Sequence, residues 1–365
     1  MPLPAGSTGS LQSVDNLKIT FLVDNCVEWM TKFPPGFSSE IREHLSANPP
    51  IDDLTNTPIV DLENYCCGAH GFSALIETQV SGSKEHLTLF DTGPDSRSLV
   101  RNIRSLNVPA DHIDEIILSH WHADHSGGLL SFLSMRGSSA PPCTVDLHPS
   151  RPIARGIAPP PTYKKVIARL PADPTFDAIE KTGGIVATSR EGHAIAGGTV
   201  WVSGEIPRTT DFEGGLLGGV RWLETENGGK GGWKNEEHIM DERYVCIDVA
   251  GKGLVIFSAC SHAGIVNVIK DAINNFSRPV YMVIGGLHLA GPELAYRIKP
   301  TTDFLSMRMR PSPTYVLPMH CSGFNCKVAL QEALGEACVP AGVGMKVTVE
   351  GNRSWDDRLP PSSWY

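Results

Sequence analysis

Short apolar runs rich in β-branched residues recur along the chain, at 19–23, 72–77, 87–90, 113–118, 199–202, 244–249, 253–257, 280–284, 315–318 and 347–349. Gly, Asp or Ser bounds most of them. Runs of this length and composition predict strands. Two stretches between them carry a different period. In 95–106, Leu99, Val100, Ile103 and Leu106 fall at helical spacing; in 263–276, Ile265, Val266, Ile269, Ala272, Ile273 and Phe276 make one apolar face. The order is strands, helix, strands, then a second similar set. It predicts an α/β fold of two sheets with helices outside, packed as one domain.

Other segments fit neither period. Residues 1–16 read as a disordered leader, and 17–365 as the single domain. Residues 33–64 are rich in Pro and turn formers, with one helix-like piece around 39–46. Residues 208–241 are rich in Gly and carry Trp222 and Trp233. Both stretches read as insertions, and long loops of this kind are either binding lids or tolerated surface.

The densest chemistry follows the 113–118 run. Ser119-His120-Trp121-His122-Ala123-Asp124-His125-Ser126-Gly127-Gly128 places three histidines and an aspartate within six positions. On extended backbone His120 and His122 point the same way. Asp124 and His125 come at the next turn. Imidazoles and carboxylates crowded at a buried strand end are costly unless something satisfies them, and divalent metal does so. One short segment can therefore serve two adjacent ions. Asp91, in Phe90-Asp91-Thr92-Gly93 at an earlier strand end, either orients a ligating histidine or is an ordinary turn residue. His262, His288 and His320 each follow a later strand, which is how loops assemble a site at a sheet edge. Cys260 and Cys321 beside them read as small buried residues rather than thiolate ligands.

Composition narrows the field further. At 41% hydrophobic and 19% charged the chain is an ordinary globular one. A net charge of -9 argues against a nucleic-acid partner, which wants a basic face. No apolar run approaches the ~20 residues that span a bilayer, and the first residues lack the pattern of a signal peptide. Nine cysteines without framework spacing fit thiols in a reducing cytoplasm.

The His-x-His-x-Asp-His segment resembles the hallmark of the metallo-β-lactamase superfamily. Within it the chain is most similar to the dihydropteroate-synthase-like branch, whose members are labelled dihydropterin-(ribofuranosyl)aminobenzene-phosphate synthase. The matching segments run in order through Leu22-Val23-Asp24-Asn25, His70-Gly71-Phe72-Ser73, Phe90-Asp91-Thr92-Gly93, Leu118 to Gly128 and Ser203-Gly204-Glu205-Ile206-Pro207-Arg208. They continue through Cys260-Ser261-His262-Ala263-Gly264, Gly285-Gly286-Leu287-His288-Leu289 and Met319-His320-Cys321-Ser322-Gly323. The resemblance implies an αββα sandwich with metals at one edge between two mixed sheets. It implies metal binding by His120, His122, Asp124, His125 and His320, with Asp124 sharing in proton transfer. His262 stands where many members place a bridging aspartate. The histidine of the usual glycine-histidine-threonine motif is missing, with Glu205 near its place. Either Glu205 is a ligand or His262 fills the vacancy; His262 is favoured, since Glu205 has Arg208 or backbone as partners. His288 resembles a non-ligand histidine that some phosphoesterase relatives use near the leaving group.

Metal-assisted hydrolysis of a small ester, phosphodiester or lactone-like substrate is the leading expectation. Two zinc ions per chain would activate a water, and Asp124 or His288 would move the proton. Iron and manganese also suit imidazole ligands. The N-terminus of the 263–276 helix would favour an anionic substrate, and Trp222 and Trp233 either cover an aromatic ring or pack their loop onto its own domain. The alternative is a metal-dependent transferase of the synthase type. A two-iron redox protein lacks its carboxylate-rich site here, and a non-catalytic binding module does not explain so full a donor set. The expected partner is a small molecule, with no nucleic acid and no membrane; the sequence leaves the oligomeric state open.

Overall fold

The computed structural model describes residues 10–137, 139–224 and 231–365. Two sheets lie face to face with helices outside both, an αββα sandwich. The first sheet runs Phe37–Ser38, Lys346–Glu350, Asn16–Val23, Ser73–Gln79, His86–Phe90, Glu115–Ile117, Cys143–Leu147 and Gly184–Thr188 across its width. Its pairings are antiparallel up to His86–Phe90 and parallel beyond it. The second sheet runs His193–Ile195, Val200–Val202, Val245–Val249, Gly253–Ser258, Val280–Gly286 and Tyr315–Met319. Its last two pairings are parallel.

Residue alternation builds the layers. Leu17, Ile19, Phe21, Ala74, Ile76 and Phe90 of the first sheet meet Val245, Ile247, Val255, Phe257, Met282 and Ile284 of the second in one buried core. Their neighbours point outward. Leu254 and Ile256 pack under the Ile265–Phe276 helix with Val266, Ile269 and Ile273. Leu89, Ile116 and Val145 pack under the Ser98–Ser105, Leu129–Arg136 and Phe176–Lys181 helices. Central strands are thus buried on both faces, which is why they read as continuous apolar runs.

Several expected elements differ from those observed. Residues 1–9 of the expected leader lie outside the described residues. The ordered part begins before position 17, because Val14 is fully buried, donates to Asp248 O and accepts from Ala250 N. In 33–64, Phe37–Ser38 extends the first sheet and Glu40–Ser46 is a helix. Buried Glu40 ties this segment down by accepting from Cys66 N and Ser105 Oγ. In 208–241, of which residues 225–230 lie outside the described residues, Gly219–Leu223 and Gly232–Asn235 form a hairpin. It pairs with Arg155–Ile157, and that strand with Ala168–Arg169. No helix among the described residues is long and apolar enough to cross a membrane.

Glu115, on the strand that leads into the histidine segment, has a buried Oε2 without a partner. Burial raises its carboxyl from the ordinary 4.5 to about 7, and Asp114 adds to the effect. Between those values the folded chain holds a proton that the unfolded chain has lost, so stability falls as pH rises through this window. Glu115→Gln should flatten that fall and leave the variant more stable than wild type above pH 7. Denaturant unfolding at pH 5 and pH 8 measures it; an unchanged pH slope would refute the assignment.

Candidate metal centre

The centre lies where the parallel strands of both sheets end. His86–Phe90 delivers Asp91 and Glu115–Ile117 delivers the 119–125 segment. Gly253–Ser258, Val280–Gly286 and Tyr315–Met319 deliver Cys260 and His262, His288, and His320. The carboxyl ends of parallel strands are the usual ligand edge of such sheets.

Asp91 anchors the histidine segment at both ends. Its carboxylate accepts from Ser119 N, Ser119 Oγ and His125 Nδ1, each at 2.7 Å. The middle is held by Trp121, which is fully buried. Its N–H donates to Asp241 and its carbonyl accepts from Arg155, whose guanidinium is itself paired with Asp241 and Glu236. His122 is still extended, and Ala123–Ser126 forms one helical turn that carries Asp124 and His125. Gly127 and Gly128 follow because the chain presses on Thr92 and Pro94; a Cβ at either would strike their carbonyls.

Two groups of donors result. His120 Nε2 and His122 Nδ1 are 2.9 Å apart, and His262 Nε2 lies 3.2 Å from both. Hydrogen bonds cannot satisfy this triangle, since a ring nitrogen of a neutral imidazole either donates or accepts, so at most two of the three N···N contacts can be hydrogen bonds. It matches one face of a tetrahedral ion, whose nitrogen ligands stand about 3.3 Å apart at bond lengths of about 2.0–2.1 Å. Burial holds these rings neutral, His122 down to about 3 with Arg155 adding to the effect. The neutral ring is the ligating form.

The second group comprises Asp124, His125, His320 and Cys260. Asp124 Oδ2 is 3.3 Å from His320 Nε2 and 3.6 Å from His125 Nε2. His320 Nε2 is buried with no aligned hydrogen bond, while its Nδ1 meets Asn25 Oδ1. Burial opposes the charge on Asp124, but the His125 and His320 rings outweigh it and hold the carboxyl well below its ordinary range. Burial likewise opposes a charge on His125; Asp124 and Asp91 overcome it and raise the ring to about 9.

His288 is half-buried beside His262, ring centroids 4.4 Å apart, and its buried Nδ1 has no partner. Glu205 is not brought to the centre: it is exposed and pairs with Arg190 at 3.4 Å, rather than with Arg208. Trp222 and Trp233 face each other across their hairpin, 5.3 Å apart, and do not line the cavity. The helix N-terminus is not open to an anion. Glu213 accepts from Val266 N and Asn267 N, and Glu242 from His262 N and Ala263 N, so the chain caps itself. His70 and Asn25 were missed as site residues. His70 Nε2 is 3.8 Å from Asp124, and Asn25 binds both His70 and His320. Their signal was the same as for the others, polar residues just beyond or between strands.

A cavity of about 550 Å³ opens on this cluster. Ile157, Leu170, Leu216, Leu217, Val220 and Ile239 form much of its far wall, so the 208–241 segment does build a wall, though with aliphatic residues.

Comparison with known proteins agrees with this fold. The family model described as the metallo-beta-lactamase superfamily matches residues 69–231. A curated relative from Methanocaldococcus jannaschii, 7,8-dihydropterin-6-methyl-4-(beta-D-ribofuranosyl)-aminobenzene-5'-phosphate synthase, is 32% identical over 270 residues, 73% of this chain and 85% of its own. The chain belongs to the metallo-beta-lactamase superfamily. A second relative from the same organism, the uncharacterized protein MJ0448, is 27% identical across 72% of this chain and 88% of its own. Among solved metallo-beta-lactamase folds, Tm1679, titled a metal-dependent hydrolase of the beta-lactamase superfamily, superposes with a TM-score of 0.58. It is 19% identical, over 92% of this chain and 99% of its own, a likeness of fold.

Asp91→Asn keeps the shape but removes the charge that orients His125. Metal affinity should fall by about 10–100-fold, the usual cost of losing a partner behind a ligand. Competitive titration with a chelator would measure it, and unchanged affinity would show that Asp91 only braces the backbone.

Proposed function

We propose that the chain is a metal-dependent transferase of the type named by its synthase relative, joining a small heteroaromatic group to an aromatic amine. The observation that carries this reading is the apolar cavity on the donor cluster. Its aliphatic wall suits a planar ring. Arg155, the arginine in that wall, is already paired with Glu236 and Asp241. An anionic part of the substrate therefore has the metal site as its source of positive charge. Hydrolysis stood first on sequence alone; the synthase relative and the aliphatic cavity wall favour transfer.

The residues present fit divalent metal, zinc being the ion best matched to this nitrogen-rich set, with iron and manganese as alternatives. His120, His122 and His262 would hold one ion, and Asp124, His125 and His320 a second. Bound there, such ions supply Lewis acidity that stabilises negative charge developing on the substrate. The chain's own residues do the rest. Asp91 and Asn25 fix the His125 and His320 rings so that their Nε2 atoms converge. As the amine nitrogen forms its new bond to carbon, the old bond from that carbon breaks and its electron pair leaves with the departing anion. The amine proton passes to His288 or to Asp124, both on the cavity wall. The aliphatic wall positions the rings. The free state of all nine cysteines suits a reducing compartment such as the cytoplasm.

Metal-loaded protein given a pterin-methyl electrophile and an aromatic amine should form the joined product. Mass spectrometry of the mixture distinguishes that from hydrolysis of the electrophile alone, which would overturn the transfer reading. His122→Ala and His262→Ala should each deplete bound metal and lower the rate by more than the about 10–100-fold that an outer partner costs.

A further inference from the structure

We propose that Cys260 is a metal ligand, its thiolate shared between the two ions. The inference rests on the metal site proposed above and goes beyond it by assigning a sulfur donor at its middle. Three groups of donors at the centre have atoms within 4.8 Å of one another: Asp124, His125 and His320; His120 and His262; His288 and Cys321. Cys260 belongs to all three, and no other residue belongs to more than one. Its Sγ is 3.2 Å from His125 Nε2. Two donors on one zinc, with Zn–S of about 2.3 Å and Zn–N of about 2.0–2.1 Å, stand about 3.5 Å apart. The sulfur is therefore at ligand spacing from His125 of the second group while lying within 4.8 Å of donor atoms of His120 and His262 in the first. His320 Nε2, buried and without an aligned partner, faces the same space and marks it as a place for an ion.

The backbone holds this sulfur in place. Ala259 O accepts from Gly286 N, and Ser261 Oγ donates to Gly286 O, stitching the Cys260 turn to the next strand. On the other side Glu242 accepts from His262 N and Ala263 N. Charge gives the reason for a shared anion. Without Cys260, the two proposed donor sets bring one carboxylate, Asp124, to two dications that stand about 3.5–4 Å apart in binuclear sites. A thiolate between them adds a second negative charge where repulsion is largest. Ligation breaks the S–H bond, forms metal–sulfur bonds and releases one proton to solvent, with no redox change. Cys321 differs: its thiol donates to Cys260 O and Sγ at 3.5 Å, which places it behind the ligand.

The test uses the full chain loaded with cobalt(II), whose thiolate complexes absorb strongly in the near ultraviolet. Wild type should show the thiolate-to-cobalt band, and Cys321→Ser should keep it. Cys260→Ser should lose it, together with about half of the bound metal. X-ray absorption on zinc-loaded wild type needs no variant to fold and should show a sulfur neighbour at about 2.3 Å. Metal bound without band or sulfur neighbour, or a band that survives Cys260→Ser, would overturn the sulfur ligand and leave the metal-dependent transferase standing. Failure to bind any metal would overturn both.

Discussion

The buried carboxylate of Asp91 is the constraint on which the centre depends. It closes a loop of chain by holding Ser119 at the end of one strand and His125 one turn later. Everything between them is thereby fixed in length and direction: His120 and His122 on extended backbone, Asp124 on a single helical turn. Asp91 itself follows a strand paired in parallel with the one that precedes the histidines. The separation of the two anchor points is thus set by the spacing of adjacent strands, which varies little. A rigid sheet edge converts a flexible polar segment into a preorganised donor set.

The second sheet completes what the first begins. His262 closes the triangle with His120 and His122, and His320 closes the group around Asp124. Neither group exists in one sheet alone. The core that presses the sheets together, Phe90 against Phe257 for example, therefore also sets the distance between donors. Stability and chemistry are coupled through the same apolar contacts, and a shift of one sheet against the other would open both groups at once.

Most strands were legible because inward and outward apolar residues alternate without interruption, as in 244–249 and 253–257. The Ile265–Phe276 helix was legible from one clean face. Cys143–Leu147 was not: it carries Asp146, buried through Arg243 97 positions away, and so breaks the apolar run. Ala295–Asp303 hides behind Pro300, and Phe324–Leu334 behind an exposed Phe324. At the centre the histidines announced themselves by local crowding. Arg155 and Asp241 did not, since they meet across 86 positions and show no pattern until the chain folds. Their clamp on Trp121 is a purely tertiary fact. The closed N-terminus of the Ile265–Phe276 helix was hidden for the same reason, as Glu213 and Glu242 come from distant loops.

Four residues of this edge, Asp91, Ser261, His288 and His320, have φ of 58°, 59°, 48° and 43°. Each comes within three residues of a strand's end, where the chain must swing sharply to aim side chains inward. Left-handed backbone admits Gly, Asn, Asp and His far more readily than β-branched or bulky residues. The alphabet open to these positions is consequently short, and it overlaps the set of polar and ligating side chains. Substitution here is constrained accordingly: another short polar residue, or Gly, fits these bends with less strain than aliphatic bulk does. The bends that steer the chain also favour the side chains that can do chemistry.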